Sequence, residues 1–157
     1  MTTKQVEVNR PLREVYDQWT QFEEFPEFMD GVTAVHQESD SVLHWQADIG
    51  GQHREWRAKI TRQEPDRLIA WESIDGARNC GVVTFEPAGP SCTLVSLDLD
   101  FEPQGLVEQA ADKLGVVQRK AAGDLDRFKH FIETRGSATG AWRGQIEGGQ
   151  VTKPSSN

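Results

Sequence analysis

The residues able to do chemistry in this chain are few, and most are aromatic. Three of the five tryptophans, Trp45, Trp56 and Trp71, lie in segments of alternating pattern that place them on one sheet face. Indoles gathered in that way stack a flat lipophilic molecule or plug a core, and a buried indole N–H wants an acceptor in either case. Arg54 falls on the same face near a turn. There it either binds a carbonyl or quinone oxygen or lays its stem across Trp56 as a rim arginine. Arg78 with Asn79, at the start of a later strand, and Glu72 complete the polar candidates. For aldol closure and dehydration such groups would have to polarise a ketone and move protons.

Other chemistries find no support. His36, His44 and His53 fall on the polar sides of strands and His130 on a helix surface, with no pair at ligand or triad spacing. Cys80 and Cys92 form no CxxC motif and stand at no metal-ligand spacing from a histidine, so both read as small buried thiols. With no glycine-rich phosphate loop, serine elbow or HExxH, neither a metal nor a nucleotide cofactor is expected. The length of 157 residues suits one domain, and 17 Lys and Arg against 25 Asp and Glu give a net charge of −8. That charge argues against a nucleic-acid partner, which needs a basic face. No run approaches the roughly 18 apolar residues of a membrane span, and the N-terminus lacks a secretory pattern, so a soluble cytoplasmic protein is expected.

Residues 4–9 read as a strand. Asn9 is a candidate cap for a first helix that has Pro11 in its first turn and buries Leu12, Val15, Tyr16 and Trp19. Phe22 to Met29 reads as a second short helix. From Val32 to Phe101, five turn signals at Ser39-Asp40, Gly50-Gly51, Pro65-Asp66, Asp75-Gly76 and Ala88-Gly89-Pro90 divide the segment into six strands, seven with the first. The connections are too short for crossovers, so the sheet is antiparallel. A two-residue Gly50-Gly51 loop pairs Ile49 with Gln52, which sets Trp45 opposite Trp56, Leu43 opposite Ala58 and Ala47 opposite Arg54. The other face pairs His44 with Arg57, Gln46 with Glu55 and Asp48 with His53. Across the next turn Trp71 comes close to Ile60.

Residues 105–135 carry Leu106, Ala110, Leu114, Val117, Ala121, Leu125, Phe128 and Ile132 at helical steps, the plainest element in the chain. Gly115 and Gly123 allow it to bend. Residues 137–157 turn polar and read as a disordered tail to a 1–136 domain. A sheet several times wider than one helix must curl round it and either fill or leave open the space between. Left open, that space is an apolar pocket between the tryptophans and the helix stripe, with Phe22 to Met29 near its mouth.

The Asn9-Arg-Pro-Leu-Arg-Glu-Val-Tyr opening, the Phe22-xx-Phe-Pro-xx-Met-xx-Val32 run, the tryptophan-bearing strands and the Leu125-xx-Phe128-xx-Phe131 helix end resemble one branch of the START-like helix-grip superfamily, that of polyketide cyclases/dehydrases and coenzyme Q-binding proteins. The resemblance covers roughly residues 3–135. It implies an α+β fold, a seven-stranded antiparallel sheet curled around a long C-terminal helix, and a cavity for a hydrophobic ligand in proteins that are carriers, sensors or enzymes. Where the aromatising members present a tyrosine and arginines, an approximate alignment finds Val32, Ile60 and Ser73. The expected activity is therefore binding or transport of a lipid, quinone or polyketide-like molecule, without catalytic residues. The expected ligand set is Trp45, Trp56, Trp71, Arg54, Phe28, Phe85, Ala110, Leu114 and Val117. An aromatase/cyclase using Arg54, Arg78 or Glu72 is the alternative, and an interaction module with a closed cavity is the second.

Overall fold

A computed structural model describes residues 2–49, 51–75, 78–101 and 110–155, with side chains for all of these except 2, 49, 101 and 110–117. Strand β1 (Thr2–Val8) leads into helix α1 (Leu12–Trp19) and a 3₁₀ turn (Phe22–Glu27). Six strands follow: β2 (Val32–Gln37), β3 (Val42–Ile49), β4 (Gln52–Glu64), β5 (Leu68–Ser73), β6 (Asn79–Gly89) and β7 (Cys92–Phe101). Helix α2 (Ala110–Arg135) comes next, and a hairpin of β8 (Gln145–Glu147) and β9 (Gln150–Lys153) ends the described chain. Every pairing is antiparallel, in the order β1-β7-β6-β5-β4-β3-β2. The expected start of the long helix at 105–109 lies outside the described residues.

The β3–β4 hairpin has the register expected from its two-residue loop, from Ile49 opposite Gln52 through Trp45 opposite Trp56 to Leu43 opposite Ala58. Gly51 supplies the left-handed backbone such a loop needs, with φ of 80°. Trp71 pairs with Ile60, as expected, and the register then slips between Ile60 and Arg62. That extra residue bends β4, whose far end pairs with β8 on the edge that β3 has left. Ala121, Leu125, Phe128 and Ile132 of α2 pack with inward residues of the strands in one core.

Three expectations need correction. The sheet has nine strands rather than seven, because β8 adds to the bent end of β4 and carries β9 with it. Asn9 does not cap α1: its backbone N–H donates to Glu133 of α2 (2.8 Å), and Pro11 occupies the cap position with no side-chain cap bond. The fixed φ of proline already orients the first turn, so a capping side chain is dispensable there. The 137–157 segment is not a disordered tail over its described part. Ile146 is 0 % exposed in the main core, and Gly148 and Gly149 both take positive φ in a tight turn between β8 and β9. The segment folds because the domain supplies a ready-made pocket for Ile146, and local composition carries no trace of that tertiary contact.

Tyr16, the single tyrosine, is 0 % exposed and accepts a hydrogen bond from Gln63 Nε2 at 3.0 Å. Burial pushes its phenol above the ordinary value of 10.0, against the opposing pull of Gln63 and Arg143. The unfolded chain therefore loses this proton first, so stability is whole below about pH 10 and falls as pH rises further. The tyrosinate absorbance band is expected to appear only together with loss of the fold. A free titration of the phenol in the native protein, with circular dichroism unchanged, would contradict its burial.

Candidate functional site

The inward rows of β3, β4 and β5 carry Leu43, Trp45 and Ala47, then Trp56, Ala58 and Ile60, then Ile69 and Trp71. Ala47 and Ala58 are short beside the indoles that flank them, and the space they leave is not filled from the opposite side. The result is a cavity of about 90 Å³ between these strands and Trp19, Phe22, Phe25 and Met29. Trp45 and Trp56 stack with ring planes 8° apart and centroids 5.7 Å apart, and Phe25 packs on Trp45 at 5.5 Å. Both indole N–H groups of the stack are buried without an acceptor among the described residues. A donor left in that state costs about 1–3 kcal/mol.

The polar part of the lining is Asp30, Asn79, Lys120 and Asp124. Asp124 accepts the Asp30 backbone N–H (3.1 Å) and Arg127 (2.6 Å) on Oδ1, and Lys120 (2.7 Å) on Oδ2. Arg127 also donates to the Phe28 carbonyl at 2.9 Å, so these groups clasp the turn before β2 onto α2. Asn79 Oδ1 accepts the Trp71 indole N–H at 3.1 Å.

Of the sequence candidates, Trp45, Trp56 and Trp71 are brought together on the cavity wall. Arg54 stands apart from that wall: it is half-buried and donates to Gln52 at 2.6 Å, along its own strand toward the loop. Arg78 pairs with Asp100 at 2.7 Å, and Glu72 is exposed. Phe28 is buried behind the cavity against Phe128 and Phe131, and Phe85 against Tyr16 and Trp19. The side chains of Ala110, Leu114 and Val117 lie outside the described residues. Cys80 and Cys92 are half-buried rather than buried, because each sits close to a strand end. His36, His44 and His53 meet Glu23, Glu55 and Asp48 on the outer face, and His130 is exposed. No group of three or more metal-ligating side chains occurs among the described residues.

The sequence reading missed Asp30, Lys120 and Asp124. Their only signal is the 120/124/127 spacing on α2, which resembles an ordinary surface ion-pair ladder.

A long helix held in the grip of a curled antiparallel sheet, with an apolar hollow between them, is the START-like helix-grip arrangement. The chain belongs to the polyketide cyclase / dehydrase and lipid transport family, whose model matches residues 8–129. It is 47 % identical over 142 residues to an uncharacterized 17.2 kDa protein of Streptomyces lincolnensis, in the melC2-rnhH intergenic region, covering 90 % of this chain and 95 % of that one. A START superfamily protein from Mycobacterium smegmatis shares the fold with a TM-score of 0.67 at 20 % identity, over 85 % of this chain and 94 % of the other. An aromatase/cyclase from a Streptomyces species does so with a TM-score of 0.66 at 18 % identity, over 89 % and 97 %. No described helix is long and apolar enough to cross a membrane.

Proposed function

We propose that this protein binds a small, flat, hydrophobic molecule in the cavity between β3–β5 and α2 and holds it without changing it. The observation that carries this reading is the stacked Trp45–Trp56 pair on the wall of an almost wholly apolar hollow. A volume of about 90 Å³ is below the roughly 300–1,000 Å³ of drug-sized sites and below the roughly 150 Å³ that takes up benzene, so a guest of one or two rings enters only as the helix or the aromatic wall shifts outward. Asp124 has both oxygens engaged by donors, and Val32 and Ile60 give the wall hydrocarbon where the aromatising relatives are expected to present polar groups.

Two measurements test this reading. Native mass spectrometry of protein purified from its own host is expected to show a co-purifying lipophile. Titration with naphthalene is expected to quench tryptophan fluorescence saturably, with affinity about tenfold weaker in Trp56→Ala. Absence of saturable binding across a panel of lipophiles would remove the proposal. The second reading, an aromatase/cyclase, draws on Lys120 and Asp124 in the lining. Turnover of a poly-β-ketone that is lost in Lys120→Met would favour it.

A further inference from the structure

Four of the residues that close the cavity, Trp19, Phe22, Phe25 and Met29, come from one stretch of chain, the end of α1 and the 3₁₀ turn that follows it. A guest enters only as this wall, or the helix tied to it, moves outward. The far end of the stretch is tied to α2, where Arg127 donates to the Phe28 carbonyl (2.9 Å) and Asp124 accepts the Asp30 N–H (3.1 Å). The near end is tied to the chain that follows α2. Gln18 accepts the Thr139 backbone N–H on Oε1 (2.9 Å) and donates in return to Thr139 Oγ1 (3.1 Å). Thr20 Oγ1 accepts the Trp142 backbone N–H (3.1 Å), and Arg143 pairs with Asp17. These partners bracket Trp19. Gly140 passes so near the same corner that a Cβ there would stand 2.5 Å from Gln21 Oε1.

We infer that residues 137–153 are a latch on the cavity: docked, this strap holds the Trp19–Met29 wall closed, and a guest enters as the strap lifts. The inference rests on the hydrophobic-ligand reading above and adds control of access to it. The strap is built to lift. It leaves α2 at Gly136, whose φ of 86° turns the chain, and β8 meets β4 only at Glu147 opposite Arg62 and Ile146 opposite Gln63. Of its large apolar side chains Ile146 is fully buried, Trp142 half-buried and Val151 exposed. A segment with so few buried apolar contacts opens locally at lower cost than the sheet beneath it. Because a guest and a docked strap oppose each other, a loosened strap strengthens binding and a bound guest loosens the strap by the same factor.

Naphthalene uptake read by tryptophan fluorescence, in stopped flow and at equilibrium, compares four full-length proteins. Arg143→Met and Ile146→Ala each remove one anchor of the strap, while Val8→Ala truncates a buried residue outside both the strap and the cavity lining. Both strap variants are expected to take up naphthalene about tenfold faster than the wild type and to bind it tighter by a similar factor. Val8→Ala is expected to match the wild type, which separates release of the latch from a general loss of stability. Hydrogen exchange on the wild type needs no variant and decides the case even where one fails to fold. Saturating naphthalene is expected to speed exchange of the 139–146 amides about tenfold while those of β6 and β7 stay protected. Unchanged uptake in both strap variants, equal acceleration in Val8→Ala, or strap amides as protected with naphthalene as without it would overturn the latch and leave the hydrophobic-ligand reading standing. Absence of saturable binding in all four proteins would end both.

Discussion

Replacing Arg143 by methionine is expected to lower stability by about 3 kcal/mol at neutral pH and by far less in acid. The Arg143 side chain is 13 % exposed and that of Asp17 12 %, and Nη1 meets Asp17 Oδ1 at 2.5 Å while Nη2 meets Asp66 Oδ2 at 2.6 Å. The guanidinium also lies over the Tyr16 ring, 5.5 Å from its centroid. Methionine fills much of the same space but leaves Asp17 with Arg13 alone, 3.8 Å away and itself mostly exposed. A buried carboxylate stripped of its partner is the costly outcome, more than the loss of the pair as such.

The sign of the pH effect follows from Asp17. Burial already raises its carboxyl above the ordinary 3.8, in spite of the opposing pull of Arg143. Without that pull the folded value rises further, so the folded state binds the proton more tightly than the unfolded chain does. The penalty is therefore full at neutral pH, shrinks as pH falls through the raised value, and vanishes once the unfolded chain is protonated as well. Urea midpoints at about pH 7 and about pH 4 check this. Asp17→Asn added to Arg143→Met should recover most of the loss at neutral pH. A loss equal at both pH values, or no recovery in the double variant, would show that the contribution comes from packing of the arginine stem rather than from charge.

Arg143 also shows where the sequence stops being readable. The strands of the main sheet and the β3–β4 register were legible, because Gly50-Gly51 fixes the pairing and one face is uniformly apolar. Gly148-Gly149 is the same kind of signal, yet its flanking strands are three and four residues long. Such short strands show no periodicity, and they hold through Ile146 in the core, Arg143 on Asp17 and Asp66, and Thr139 hydrogen-bonded to Gln18. All of these are contacts with residues more than 70 positions away, invisible to any local pattern.

The cavity was legible to a similar depth. Alternation placed the three tryptophans on one face, but it cannot say which aromatics border a void and which lie behind it. Phe85 shares the inward pattern of its strand, and Phe28 ends the 3₁₀ turn, yet both sit among other rings. Arg54 is placed by a different choice. At the loop end of β4 its long side chain has the choice of running over the indoles or back along the strand, and Gln52 takes it.

Ala58→Leu puts the hollow itself to the test and is expected to abolish ligand binding while leaving the protein as stable as before or more so. Ala58 is almost completely buried, lines the cavity, and packs with Trp56 and Ala47. At roughly 24 cal/mol per Å³, filling about 90 Å³ could return about 2 kcal/mol. In a site already packed to native density, the same extra carbons would cost about 1–3 kcal/mol through forced rotamers and backbone shifts. The two cases thus differ in the sign of the stability change as well as in binding. Denaturant midpoints and naphthalene titrations on the same sample read both. A stabilised variant that no longer quenches places the guest in the space beside Ala58. A destabilised variant that binds as the wild type does would mean that the tryptophans are core filler and that the guest, if there is one, sits elsewhere.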